Sequence, residues 1–112
     1  MLAVARLDPS GRVPAKGVLS ALGWKPGQRL EITACRTAIL ITAAEVGRHV
    51  VGGRGEVAVP VAARRWCAIA PGALVLLAAL PARAVLVVHP MSTVTCLLHR
   101  VHTRLLREHD AR

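Results

Sequence analysis

Two Pro-Gly turns, Pro26-Gly27 and Pro71-Gly72, stand 45 residues apart (71 − 26) in a chain of 112. The residues leading into them correspond. Gly11–Gly27 reads GRVPAKGVLSALGWKPG and Gly55–Gly72 reads GEVAVPVAARRWCAIAPG. At the same offset Leu22 falls on Cys67 and Trp24 on Ile69. The opening glycines are 44 apart (55 − 11), so the first copy is one residue shorter between Gly11 and Leu22. A period of this length marks a duplicated supersecondary unit, and any fold must accommodate it twice. The unit reads as β-hairpin–helix–β-hairpin.

The second copy is the clearer. His49–Val51 is its first strand and Gly52-Gly53-Arg54-Gly55 its hairpin loop. Glu56–Val59 alternates in the manner of a strand. Pro60 stops it and suits the first turn of a helix over Val61–Cys67. Pro71-Gly72 turns the chain into Leu74–Leu80. That strand and Ala84–His89 form a hairpin around Pro81-Ala82-Arg83, apolar on both faces, as in a buried barrel centre. In the first copy Ala3–Leu7 is a strand and Asp8-Pro9-Ser10-Gly11 a turn, with Pro second and Gly fourth. Arg12-Val13 returns, Pro14 ends it, and Lys16–Leu22 makes a short helix that Gly23 terminates. Leu30, Ile32 and Ala34 alternate with polar or small residues, which predicts a half-buried strand over Leu30–Cys35. Arg36-Thr37 turns, Ala38–Thr42 returns, and Ala43–Gly47 links the copies. Beyond Pro90, Val94, Leu97, Leu98, Val101 and Leu105 recur at three- and four-residue spacing, which predicts an amphipathic helix with Ser92 as its N-cap.

One domain is expected from the length. With two Trp, no Phe and no Tyr, the core must come from Val, Leu, Ile and Ala. Single-stranded nucleic acid is disfavoured, because its binders stack bases on aromatics. A net charge of +9 favours a polyanionic partner, nucleic acid first, with a membrane surface or a non-specific excess of arginine as alternatives. The apolar run Trp66–Ala82 is broken by Pro71, Gly72 and Pro81 and is too short for a membrane helix. Met1–Leu7 carries Arg6 and runs into turn residues, unlike a secretory signal. Cys35, Cys67 and Cys96 are odd in number and widely spaced, which suggests buried thiols in a reducing cytoplasm.

The order of these elements resembles the AbrB/SpoVT/MazE family of swapped-hairpin DNA-binding domains. The resemblance rests on Asp8, Gly11-Arg12, Leu22-Gly23-Trp24 and Pro26-Gly27 in the first copy. In the second it rests on Gly55, Val57, Val59-Pro60, Arg64-Arg65, Ile69 and Pro71-Gly72. It spans roughly residues 3–89. It implies a mainly β, small α+β fold: a pseudo-symmetric swapped-hairpin barrel over residues 1–90, with repeats at about 3–43 and 48–89. Two copies in one chain imply an intramolecular pseudo-dimer of the MraZ-like kind. Residues 91–112 would be the C-terminal helix and tail. Glu56 departs from the family's usual Arg, and Gly52 stands where the first copy has Asp8. Carried over, the DNA-facing residues are Arg6, Arg12 and Lys16 in the first copy and Arg64 and Arg65 in the second. Arg54 joins them by its place in the equivalent loop.

The resemblance therefore implies a cytoplasmic, nucleoid-associated protein that binds double-stranded DNA sequence-specifically, as a transcriptional regulator. With Glu56 opposing phosphates in the second hairpin, the expected site is asymmetric. The alternative is an antitoxin or adaptor whose C-terminal helix captures a protein, although the tail is basic and helical where MazE-type tails are acidic and extended. The stripe Val94, Leu97, Leu98, Val101 and Leu105 is expected to seat a second copy, giving a homodimer; packing on its own barrel is the other option. No catalytic set, cofactor motif or metal site stands out. Cys96, His99 and His102 do not converge, because positions 96 and 102 lie about 9 Å apart along a helix axis. Trp24 and Trp66 are expected in the core or in helix packing, and Cys67 as a small buried hydrophobe.

Overall fold

The computed structural model, which describes residues 1–112, is a small α+β fold with an antiparallel sheet and a C-terminal helix. The first copy supplies β1 (Leu2–Arg6), β2 (Arg12–Pro14), α1 (Lys16–Ala21), β3 (Arg29–Ala34) and β4 (Ile39–Ala43). The second supplies β5 (His49–Val50), β6 (Glu56–Ala58), α2 (Val61–Trp66), β7 (Leu74–Leu80) and β8 (Val85–Pro90). The helix α3 (Met91–Asp110) follows. α2 begins 45 residues after α1 (61 against 16), whereas β6 begins 44 after β2 (56 against 12). The residue missing from the first copy is therefore at the strand–helix junction, where Ala15 alone stands against Val59-Pro60.

Six strands form an antiparallel sheet in the order β1-β7-β8-β4-β3-β5, and β2 pairs with β6 as a separate two-stranded ribbon. Replacing each strand by its equivalent in the other copy turns this order into its own reverse. In the ribbon Val13 faces Val57, its own counterpart, with Arg12 opposite Ala58 and Pro14 opposite Glu56. The flanking hydrogen bonds match too: Ala15 N–H donates to Gly55 O and Val59 N–H to Gly11 O, both at 2.9 Å.

Local hairpins were expected in the first half of each copy, and here the structure differs. The Asp8–Gly11 turn closes as read, with Asp8 N–H donating to Arg12 O at 2.9 Å. Yet β1 runs along β7, and β5 along β3 rather than β6. For β1 the reason is ladder length, since β7 pairs five residues with it whereas β2 is only three residues long. β5 extends its two pairs with β3 through Gly27 N–H donating to Val51 O at 2.8 Å and Val51 N–H to Gln28 O at 2.9 Å. The sheet keeps two edges, β1 and β5, and no closed barrel is formed.

Both short helices end in the same way. Gly23 and Ala68 take left-handed conformations (φ +71° and +55°). Trp24 N–H donates to Leu19 O at 2.9 Å and Ile69 N–H to Arg64 O at 2.8 Å, the six-residue closure of a Schellman motif. Gly23 thus ends α1 as expected. Its counterpart is an alanine, which bears a steric cost that glycine avoids.

The core lies on the inner sheet face, where Leu30, Ile39, Ile41, Val75, Leu77, Leu86 and Val88 are buried. Leu7 and Val51, and Val13 and Val57, enter it as matched pairs. On the outer face Leu74 and Leu80 are exposed at the two ends of β7, while Ala78 between them and its β8 partner Val87 are buried. Ala84 does not join β8; it caps a 3-10 turn at Pro81–Arg83 in a left-handed conformation. Ser92 is not the N-cap of α3, because Pro90 sets φ −59° there and the helix starts at Met91 without a side-chain cap. Thr93 Oγ1 ties the helix base to Thr37 O at 2.9 Å. Beyond that α3 projects: none of its residues is buried, and Leu97, Leu98, Val101 and Leu105 are about half exposed. It does not fold back on its own sheet. No helix is long and apolar enough to cross a membrane.

Candidate nucleic-acid interface

The two loops that enter the β2–β6 ribbon are built on different carboxylates. In the first, the Asp8 side chain accepts from Ser10 N–H (2.9 Å), Ser10 Oγ (2.7 Å) and Arg12 N–H (2.8 Å). The Arg12 N–H, then the Ser10 hydroxyl, hold the Asp8 carboxyl below its ordinary 3.8. A lowered carboxylate pKa means that this brace holds above the ordinary value and is lost as pH falls through the lowered one. The second loop has Gly52 in place of Asp8. Glu56 reaches back instead, and its Oε2 accepts from Arg54 N–H at 2.9 Å. A Cβ on Gly52 would collide with that carboxylate. The two departures from the first copy are therefore one exchange: removing the aspartate makes room for the glutamate that does its work.

Between the loops lies a groove of about 650 Å³ lined by Arg6, Asp8, Arg12, Pro14, Gly53, Arg54 and Glu56. Arg6, Arg12 and Arg54 are exposed there. Arg6 ends β1 and is steadied by Nη1 donating to Gly72 O at 2.7 Å. Arg12 opens β2, and Arg54 rides on the second loop. Three guanidinium groups thus share a cleft with two carboxylates, each tied to loop N–H groups. Such a set can bind phosphate oxygens or the N7/O6 edge of guanine in bidentate fashion.

The other basic residues are placed differently. Lys16, the first residue of α1, is exposed on the far side of the second loop and lines a separate pocket with Arg54. Arg65 is exposed on α2 but does not line the groove. Arg64, expected among the DNA-facing residues, is turned inward: it is 9% exposed, its Nε donates to Val59 O at 3.0 Å, and its guanidinium lies against Gly11. A Cβ on Gly11 would come within 2.6 Å of Arg64 Cζ. Its helix position points inward, and its counterpart 45 residues back is Leu19, a core residue. That correspondence was the sequence signal for its burial.

Trp24 is buried as expected, but Trp66 is 66% exposed, beside Arg65 at the end of α2. Cys67 is buried and donates its thiol to Cys35 O at 3.2 Å. Burial, then neighbouring Cys35, pushes the Cys67 pKa up. Cys96, expected buried, is exposed on α3.

Comparison with protein-family models, with curated proteins and with solved structures finds no match to this chain.

Proposed function

We propose that this protein binds double-stranded DNA sequence-specifically and regulates transcription by binding alone, without a cofactor or catalytic step. The observation that carries the reading is the convergence of Arg6, Arg12 and Arg54, from three separate elements, on one groove over the β2–β6 ribbon. The reversible strand order supports the swapped-hairpin kinship: β1 and β5 each pair with the other copy, as interlocked halves would. Approximate two-fold symmetry between the copies, with Val13 and Val57 at the axis, is part of the same proposal. A nucleoid-associated cytoplasmic location follows from the function.

The groove is two-fold only in outline. Arg12 is free to face a ligand, while its counterpart Glu56 is committed to its loop. The preferred site is accordingly an imperfect palindrome. Selection of bound sequences from random duplexes tests this: an enriched asymmetric motif supports it, and no enrichment over the starting pool refutes it.

A protein-binding role is favoured by one feature, the exposed apolar stripe of α3. A second copy is the occupant proposed for it. Arg104 and Arg107 lie in the C-terminal half of α3, so an antiparallel pair keeps each away from its counterpart.

A further inference from the structure

The two copies differ at the space between the short helix and the loop of the opposite copy. In the second copy that space holds Arg64, whose guanidinium lies against Gly11. In the first copy the corresponding residue is Leu19, which is shorter and ends in methyl groups. A pocket of about 320 Å³ lies there, between α1 and the loop Gly53–Gly55. This is within the range, roughly 300–1,000 Å³, of small-molecule sites.

The lining sorts into two chemistries. Leu19, Trp24 and Val51, all buried, form an apolar side. Lys16, Lys25 and Arg54 are exposed around it, and no carboxylate lines the pocket. Three cations without a counter-charge around an indole favour an anion, and the apolar side favours one that carries a hydrophobic group. In the second copy a built-in cation fills the space; in the first, the cations stand at the rim and the filling group is absent.

We infer that this pocket binds a small amphipathic anion: a phosphate or carboxylate attached to an apolar ring or chain. The anion sits among Lys16, Lys25 and Arg54, and the apolar part lies against Trp24. The claim is independent of DNA binding. Should both hold, the ligand neutralises Arg54, which also lines the basic groove, and weakens DNA binding.

The test is titration of the full ¹⁵N-labelled chain with phenyl phosphate and benzoate, read from the Trp24 indole N–H and the Lys25 and Gly55 amide signals. Inorganic phosphate and benzyl alcohol separate the charged from the apolar contribution. Saturable shifts with at least one aromatic anion, at least tenfold tighter than either control, are expected. Leu19→Arg fills the pocket as Arg64 fills its counterpart and should abolish the shifts while signal dispersion is kept. Lys25→Glu, at an exposed position, should weaken binding at least tenfold and serves if Leu19→Arg does not fold. The inference is overturned by the absence of saturable shifts, by equal binding of inorganic phosphate or benzyl alcohol, or by unchanged binding in Lys25→Glu.

Discussion

Arg64→Ala should act on stability and not on DNA contact. The wild-type side chain places its Nε on Val59 O at 3.0 Å and its guanidinium against Gly11. A hydrogen bond from a charged donor contributes about 1.5–3 kcal/mol. Truncation also strips packing from the buried stem. Against this, the wild-type charge has already borne a desolvation cost, which the mutant escapes. A net loss of about 2–3 kcal/mol is expected, or about 8–12 °C in Tm for a chain of this length. Thermal unfolding followed by circular dichroism measures it. In parallel, fluorescence anisotropy with a bound duplex, at a temperature where the variant is folded, should give an unchanged slope of log K against log salt. A Tm within 2 °C of wild type together with a slope reduced by about one unit would refute the reasoning, because Arg64 would then be a phosphate contact.

The remaining predictions concern other asymmetries. Ala68→Gly relieves a left-handed alanine at φ +55° and should raise stability by about 0.5–1 kcal/mol, read by urea unfolding. Glu56→Arg removes the carboxylate that braces Arg54 N–H, so it should loosen the second loop, seen as faster amide exchange at Arg54. Adding Gly52→Asp should restore protection by rebuilding the first copy's pattern, and failure to restore it would separate the two departures. Deleting residues 91–112 should convert a dimer to a monomer by light scattering; a full-length monomer at working concentration contradicts α3 as the dimer interface.

Much of the fold was legible because Pro and Gly punctuate it at matching offsets. Gly23, Pro26-Gly27 and Pro71-Gly72 placed both helices and both sheet hairpins to within a few residues. Strand partners were harder, since β5 and β6 adjoin in sequence and only the competing ladder with β3 separates them. Arg6 and Arg12 were identifiable through the family resemblance and Arg54 through its place in the equivalent loop, and their convergence needed the tertiary pairing of β2 with β6. The family resemblance puts Arg64 on the surface, whereas its correspondence to the core residue Leu19 points inward. Trp66 misled in the opposite sense: its size argues for burial, but its helix position faces outward. Gly52 and Glu56 looked like two lost features until their side-chain space was seen to be shared.

The most direct measurement is the salt dependence of duplex binding by wild type, Arg12→Ala and Arg54→Ala, using fluorescence anisotropy. Wild type should bind with affinity falling steeply as salt rises. Each variant that has lost a phosphate contact should show a slope reduced by about one unit. A variant that has lost a base contact should instead lose about 1–3 kcal/mol and specificity at one position. The absence of salt-dependent binding to any duplex pool would contradict the DNA-binding proposal. Unchanged affinity in both variants would remove the groove over the β2–β6 ribbon as its site.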